Sequence, residues 1–294
     1  MTKKTALIVA ILLCCLRPAS GHTWDAQRLG AHTVLQLWPN GAPTDNGVDY
    51  DHLSPDNTRD ISPQMHVFLP SGSNGHATRA VIICPGGAYG GLAMYHEGFE
   101  WCEYFTSQNI AAIVLLYRLP HGHHQVPAED VYEAIHQTQQ HATEWNIDPS
   151  RIGIMGSSAG GHLAATVATH APASLRPAFQ ILLYPVITTD PSFTHYWSCR
   201  NLMGEHPSQE LLASYSNELQ VSPSTPPAFI AASADDGDVP VLNTARYYEA
   251  LVSHGINANV HIYPTGGHGW GIKPSFKYHN QLLQALRDWL DSIL

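Results

Sequence analysis

The feature that most narrows the possible folds is a repeated exchange between short unbroken apolar runs and longer segments with helical spacing. Candidate strands lie at 65–69, 80–84, 111–117, 151–156, 180–184, 228–232 and 259–263, several of them continuous Val, Ile and Leu runs. A strand covered on both faces has no polar side to show, so it reads as a continuous apolar run. Between and after these runs, the spacing predicts helices near 97–108, 128–145, 159–170, 241–254 and 276–293. Such alternation predicts an α/β fold, a mostly parallel central sheet flanked by helices on both faces. The 294 residues, 44% apolar, supply core enough for one large domain. Residues 188–227 break the rhythm with Pro191, Pro207, Pro223, Pro226 and Pro227, and with Phe193, Tyr196 and Trp197 nearby. They are expected to form a small lid-like insertion over the sheet edge.

Residues 1–21 have the pattern of an export signal. Lys3 and Lys4 precede an apolar run from residue 5 to 16, and Ala19, Ser20 and Gly21 offer small residues for cleavage. The run is too short to span a bilayer comfortably. The expectation is a secreted or periplasmic protein whose domain is 22–294, without stable membrane insertion once the signal is removed. The formal charge of −10, with no basic stripe, argues against nucleic acid as a partner. Three cysteines follow the leader, Cys84, Cys102 and Cys199. An odd number excludes a full disulfide framework and leaves one bridge open. Cys84 lies inside an apolar run and is expected as a buried thiol.

The chemistry begins at Arg151-Ile-Gly-Ile-Met-Gly156, which leads into Gly156-Ser157-Ser158-Ala159-Gly160 and then a helical run. This is G-x-S-x-G in the strand–turn–helix setting that its mechanics require. The sharp turn lifts the Ser158 hydroxyl clear of the sheet, and the adjacent helix start favours negative charge. Serine needs a base to take its proton. His268 is the candidate, in the glycine-rich loop Gly266-Gly-His-Gly269 after a late strand. The orienting acid should follow another strand, and Asp235, Asp236 and Asp238 compete after 228–232. Asp236 is favoured for its D-x-x-V spacing to Val239, with Asp235 as the alternative. The order Ser158, Asp236, His268 is that of α/β-hydrolases.

Acyl transfer also needs donors aimed at the developing oxyanion. The backbone N–H of Ala159 is one. Gly87 and Ala88, in Cys84-Pro-Gly-Gly-Ala-Tyr-Gly-Gly91 after an early strand, are the others. Ala88 stands where lipase loops of this kind carry a third glycine, and a positive φ there would strain it.

With these motifs in place the chain resembles bacterial α/β-hydrolases of the acetyl esterase and xylanase-associated esterase type, related to the hormone-sensitive-lipase and dienelactone-hydrolase branches. The resemblance runs from Leu37-Trp-Pro-Asn-Gly-Ala-Pro43 to the C-terminus, and its further marks are His96-Glu-Gly98, Tyr117-Arg-Leu119 and Asn201-Leu-Met-Gly204. It implies a serine esterase of the α/β-hydrolase fold that needs no cofactor and acts on a small ester or acetylated saccharide, often acetyl groups on plant polysaccharides. It implies too that Arg118 and Asp130 pair structurally behind the sheet.

Tyr89, Glu97 and Trp270 are candidates to touch substrate, and Trp197 to stack on a sugar face. His121-Gly-His-His124 has no carboxylate or cysteine cluster beside it and is expected as a solvated loop, not a metal site. Two other readings stay open: a peptidase of the prolyl-oligopeptidase type, for which about sixty residues before the first secure strand are too few to form a propeller, and a carbohydrate-binding protein without catalysis.

Overall fold

The computed structural model describes residues 29–53, 59–72 and 76–293, so the expected leader lies outside the described residues. Among the described residues, eight strands form one sheet: β1 (Thr33–Gln36), β2 (Gln64–Phe68), β3 (Thr78–Cys84), β4 (Ile110–Leu116), β5 (Ile147–Ser157), β6 (Gln180–Leu183), β7 (Ala228–Ser233) and β8 (Ala258–Tyr263). Their spatial order is β1-β2-β4-β3-β5-β6-β7-β8. Only β2 runs against the others. All seven expected apolar runs are strands. The eighth, β1, carries no such run, because its four residues alternate between half-buried and exposed.

Alternation within the strands divides the core in two. Ala80, Ile82 and Cys84 face one cluster, with Val131 and Ala134 of α2 (Val126–Gln140), Leu163 and Val167 of α3 (Ser158–His170) and Tyr247 and Leu251 of α6 (Leu242–Ser253). Val81 and Ile83 face the other, with Trp101 and Phe105 of α1 (Glu100–Ser107) and Leu282, Leu286 and Trp289 of α7 (His279–Ser292). Every expected helix is present with shifted ends. A π-helical turn, Tyr95–Phe99, precedes α1, and α2 starts early because Pro127 suits a first turn. Residues 188–227 hold α4 (Tyr196–Met203) and α5 (Gln209–Tyr215).

The chain leaves β3 toward β4 and then returns to β5 on the other side of β3. Loops that follow β3 and β5 therefore diverge, and the crevice between them is where α/β sheets bind ligands.

One core residue sets a pH prediction. His66 on β2 is 1% exposed, its ring lies 5.2 Å from that of Phe99, and neither ring nitrogen has a hydrogen-bond partner among the described residues. Burial lowers its pKa from the ordinary 6.5 to about 4. The unfolded chain therefore binds this proton first. Stability present above pH 6.5 is lost as the pH falls toward 4. His66→Leu keeps the approximate volume and removes the polar atoms. Relative to wild type, it should gain on the order of 3 kcal/mol between pH 7 and pH 4. Urea unfolding at the two pH values measures this, and an equal loss in both proteins refutes it.

Candidate active site

The three triad candidates converge at the carboxyl ends of their strands. Ser158 opens α3 with φ 53°, a left-handed conformation stabilised by the turn around it. The motif glycines are required by close approach. A Cβ on Gly156 would lie 2.0 Å from the Gly160 carbonyl oxygen, and one on Gly160 would lie 2.1 Å from that of Cys84. The strand, turn and helix thus press together, and the oxyanion loop after β3 passes directly over the nucleophile turn.

His268, in the loop after β8, has Nε2 2.8 Å from Ser158 Oγ and Nδ1 2.7 Å from Asp236 Oδ2. An ionised carboxylate only accepts, so Nδ1 carries the proton and donates to it, which leaves Nε2 free to accept from the serine hydroxyl. Asp236 Oδ1 accepts from the backbone N–H of Asp238 and Val239, each at 2.9 Å. That turn is the physical content of the D-x-x-V spacing, with Val239 buried in the core. Asp235 turns elsewhere and accepts from Gly267 N–H at 2.9 Å.

The expected oxyanion donors belong to two turns that meet at Ser158, since a Cβ on Gly86 would lie 2.9 Å from Ser158 Cβ. Ala159 is in the first turn of α3, where backbone N–H groups have no helical acceptor. In the loop after β3, Gly86 C=O accepts from Ala93 N–H at 2.8 Å and Gly87 C=O from Gly90 N–H at 2.9 Å. In a trans peptide the N–H points opposite the C=O, so the N–H groups of Gly87 and Ala88 are turned away from those bonds. Ala88 and Tyr89 both adopt positive φ, 55° and 56°, so the strain expected at the alanine slot is present. Asn201 of α4 holds the loop by donating Nδ2–H to Ala88 O at 2.8 Å.

The three side chains expected to touch substrate are buried and hydrogen-bonded within the protein. Tyr89 is buried and donates its hydroxyl to His162 Nδ1 at 2.9 Å. The His162 Nε2–H is held by the Tyr215 carbonyl, and burial lowers this imidazole to about 4, keeping it a neutral acceptor. Trp270 is buried, donates to Ser233 Oγ at 3.0 Å and stacks on Phe276 with ring centroids 4.2 Å apart. Glu97 is 3% exposed and accepts from Gly86 N–H and the Tyr184 hydroxyl. In each the polar atoms find partners inside the protein.

Other candidates settle into structural contacts. Arg118 Nε lies 2.9 Å and Nη2 2.7 Å from Asp130 Oδ1 in a buried pair. His121 meets Asp60, and His124 meets the Tyr215 hydroxyl. The three cysteines are free, and burial pushes the thiols of Cys84 and Cys102 up.

Two neighbours had no sequence signal for a role at the site. The Tyr184 ring meets the His268 ring edge-on at 4.8 Å. His195, just before α4, has its pKa lowered first by burial and then by the nearby His268. Helix α4 thus runs from the His268 side to the loop after β3, where Asn201 bonds Ala88. A cavity of about 410 Å³ beside that loop is lined by Tyr89, Gly90, His121, Arg200, Asn201 and Glu205.

Comparison with known proteins places this geometry in context. The family described as the alpha/beta hydrolase fold matches residues 85–272. An acetylxylan esterase of Xylanibacter ruminicola is 43% identical over 238 residues, covering 80% of this chain and 49% of that protein. The chain thus spans about half the length of this relative. A carboxylesterase of Mycobacterium tuberculosis is 32% identical over 265 residues, covering 81% of this chain and 78% of that protein. The crystal structure of an acetyl ester-xyloside bifunctional hydrolase from Caldicellulosiruptor lactoaceticus superposes with a TM-score of 0.77 at 33% identity, covering 89% of this chain and 96% of that one.

Proposed function

Because the chain belongs to the alpha/beta hydrolase fold family, we propose that it is a serine carboxylic ester hydrolase that removes acetyl groups from plant polysaccharide or oligosaccharide through an acyl-enzyme. The observation that carries the reading is the continuous contact from Ser158 Oγ to His268 Nε2 at 2.8 Å and from His268 Nδ1 to Asp236 at 2.7 Å. Ser158 Oγ attacks the ester carbonyl while His268 takes its proton. The N–H groups of Gly87, Ala88 and Ala159 stabilise the oxyanion. His268 then protonates the departing alcohol, and water, activated by the same imidazole, releases acetate. Asp236 keeps the imidazole in the productive tautomer. The export-signal pattern of residues 1–21 supports an extracellular or periplasmic setting.

The saccharide is supported by α4. Trp197 lies one turn before Asn201 on the same helix face, and Asn201 grips the oxyanion loop. Trp197 is 53% exposed and Tyr196 61%, large rings left open on the helix that carries Asn201. The Arg200 guanidinium sits 5.4 Å from the centre of the Trp197 ring and steadies it. A flat exposed indole offers a stacking surface to a sugar ring.

Acetate release from acetylated xylan, compared with hydrolysis of p-nitrophenyl esters from acetate to octanoate, tests the reading. Xylan deacetylation and a preference for acetate are expected, and a preference for long acyl chains overturns it. Trp197→Ala should lower kcat/KM on acetylated xylo-oligosaccharide roughly 3- to 10-fold. The loss on p-nitrophenyl acetate should be smaller, and an equal loss on both substrates removes the stacking role.

A further inference from the structure

Glu97 is a buried carboxylate that the proton transfers do not use. It sits on the π-helical turn Tyr95–Phe99, and such turns are frequent at functional sites. Its Oε2 accepts from Gly86 N–H at 2.8 Å, at the root of the oxyanion loop. Its Oε1 accepts from the Tyr184 hydroxyl at 2.9 Å, and His96 Nε2 stands 3.7 Å from the same oxygen. The Tyr184 hydroxyl in turn accepts from Gly271 N–H at 2.8 Å, three residues beyond His268. The same turn grips that loop a second time, because Ile272 N–H donates to His96 O at 3.0 Å. One short segment therefore touches both the loop that presents the oxyanion donors and the loop that presents the base. Those loops come from β3 and β8, on opposite sides of the nucleophile strand.

We infer that Glu97 is a positioning residue whose carboxylate holds the oxyanion loop and the histidine loop in register across Ser158. The inference rests on the serine esterase reading above. A carboxylate suits the place because both neighbours, Gly86 N–H and Tyr184 O–H, are donors. Glutamine has the same shape but offers one acceptor oxygen and an NH₂ group. Either Gly86 N–H then faces another N–H, or the Tyr184 hydroxyl must turn its proton away and lose its acceptor. Both outcomes shift a loop without touching the triad. Small displacements of this kind cost rate, because oxyanion donors act only where charge develops.

The test uses the full chain and the variants Glu97→Gln and Tyr184→Phe. Their kcat for p-nitrophenyl acetate should fall about 10²-fold. The discriminating readout is inhibition by an alkyl trifluoromethyl ketone, which adds Ser158 Oγ and forms an oxyanion, set against the matching secondary alcohol, which cannot. Ketone affinity should weaken in proportion to kcat/KM while alcohol affinity holds. If one variant fails to fold, the other decides. A kcat close to wild type in a folded variant, or equal weakening of ketone and alcohol, overturns the inference. Full activity in Ser158→Ala would instead overturn the esterase reading, so the two failures are distinct.

Discussion

Ser158→Ala is expected to lower kcat for p-nitrophenyl acetate by about 10⁴- to 10⁶-fold, leaving the residual rate that the oxyanion donors and binding alone provide. The substitution removes one oxygen from the surroundings of His268 Nε2 and changes little else. Alanine can occupy the φ of 53° at similar strain, and the Ser158 carbonyl still accepts from Val186 N–H at 3.1 Å. Thermal stability should therefore stay near wild type, which separates loss of chemistry from loss of fold. Steady-state kinetics beside a thermal melt makes the measurement, and an active, folded Ser158→Ala protein would end the case for an acyl-enzyme on this serine.

The second large effect divides two adjacent residues. Asp236→Asn should cost about 10⁴-fold in kcat, since an amide in that place favours the wrong imidazole tautomer. Its oxygen can still accept from the Asp238 and Val239 N–H groups, which turns the NH₂ toward His268 Nδ1. The ring must then offer a lone pair at Nδ1 and carry its proton on Nε2, where it cannot accept from Ser158. Asp235→Asn keeps an acceptor for Gly267 N–H at an exposed site and should remain within about threefold of wild type. Comparable losses in the two variants would contradict the assignment.

These neighbours show where sequence reasoning reached its end. Both aspartates follow the same strand, both precede a glycine-rich histidine loop in the chain, and spacing could only rank them. The choice depends on which carboxylate meets an imidazole contributed 32 residues later. The same holds for Glu97, Tyr89 and Trp270. Nearness to a motif pointed them at substrate, whereas their orientation depends on partners elsewhere in the fold. Glu97 needs Gly86 on one side and Tyr184, 87 residues away, on the other. Tyr184 itself had no signal, because a tyrosine at the end of an apolar run looks like any core residue.

The sheet and the nucleophile turn were readable because their physics is short-range. A strand buried on both faces is apolar along most of its length, and the turn at Ser158 excludes any Cβ at 156 and 160, where it would strike backbone about 2 Å away. Such requirements leave marks within a few residues. Which carboxylate orients the base, which way Glu97 faces and what α4 lies across are settled by hydrogen bonds and packing between segments far apart in the chain. Those contacts exist only once the sheet has brought the segments together, so no local pattern can record them.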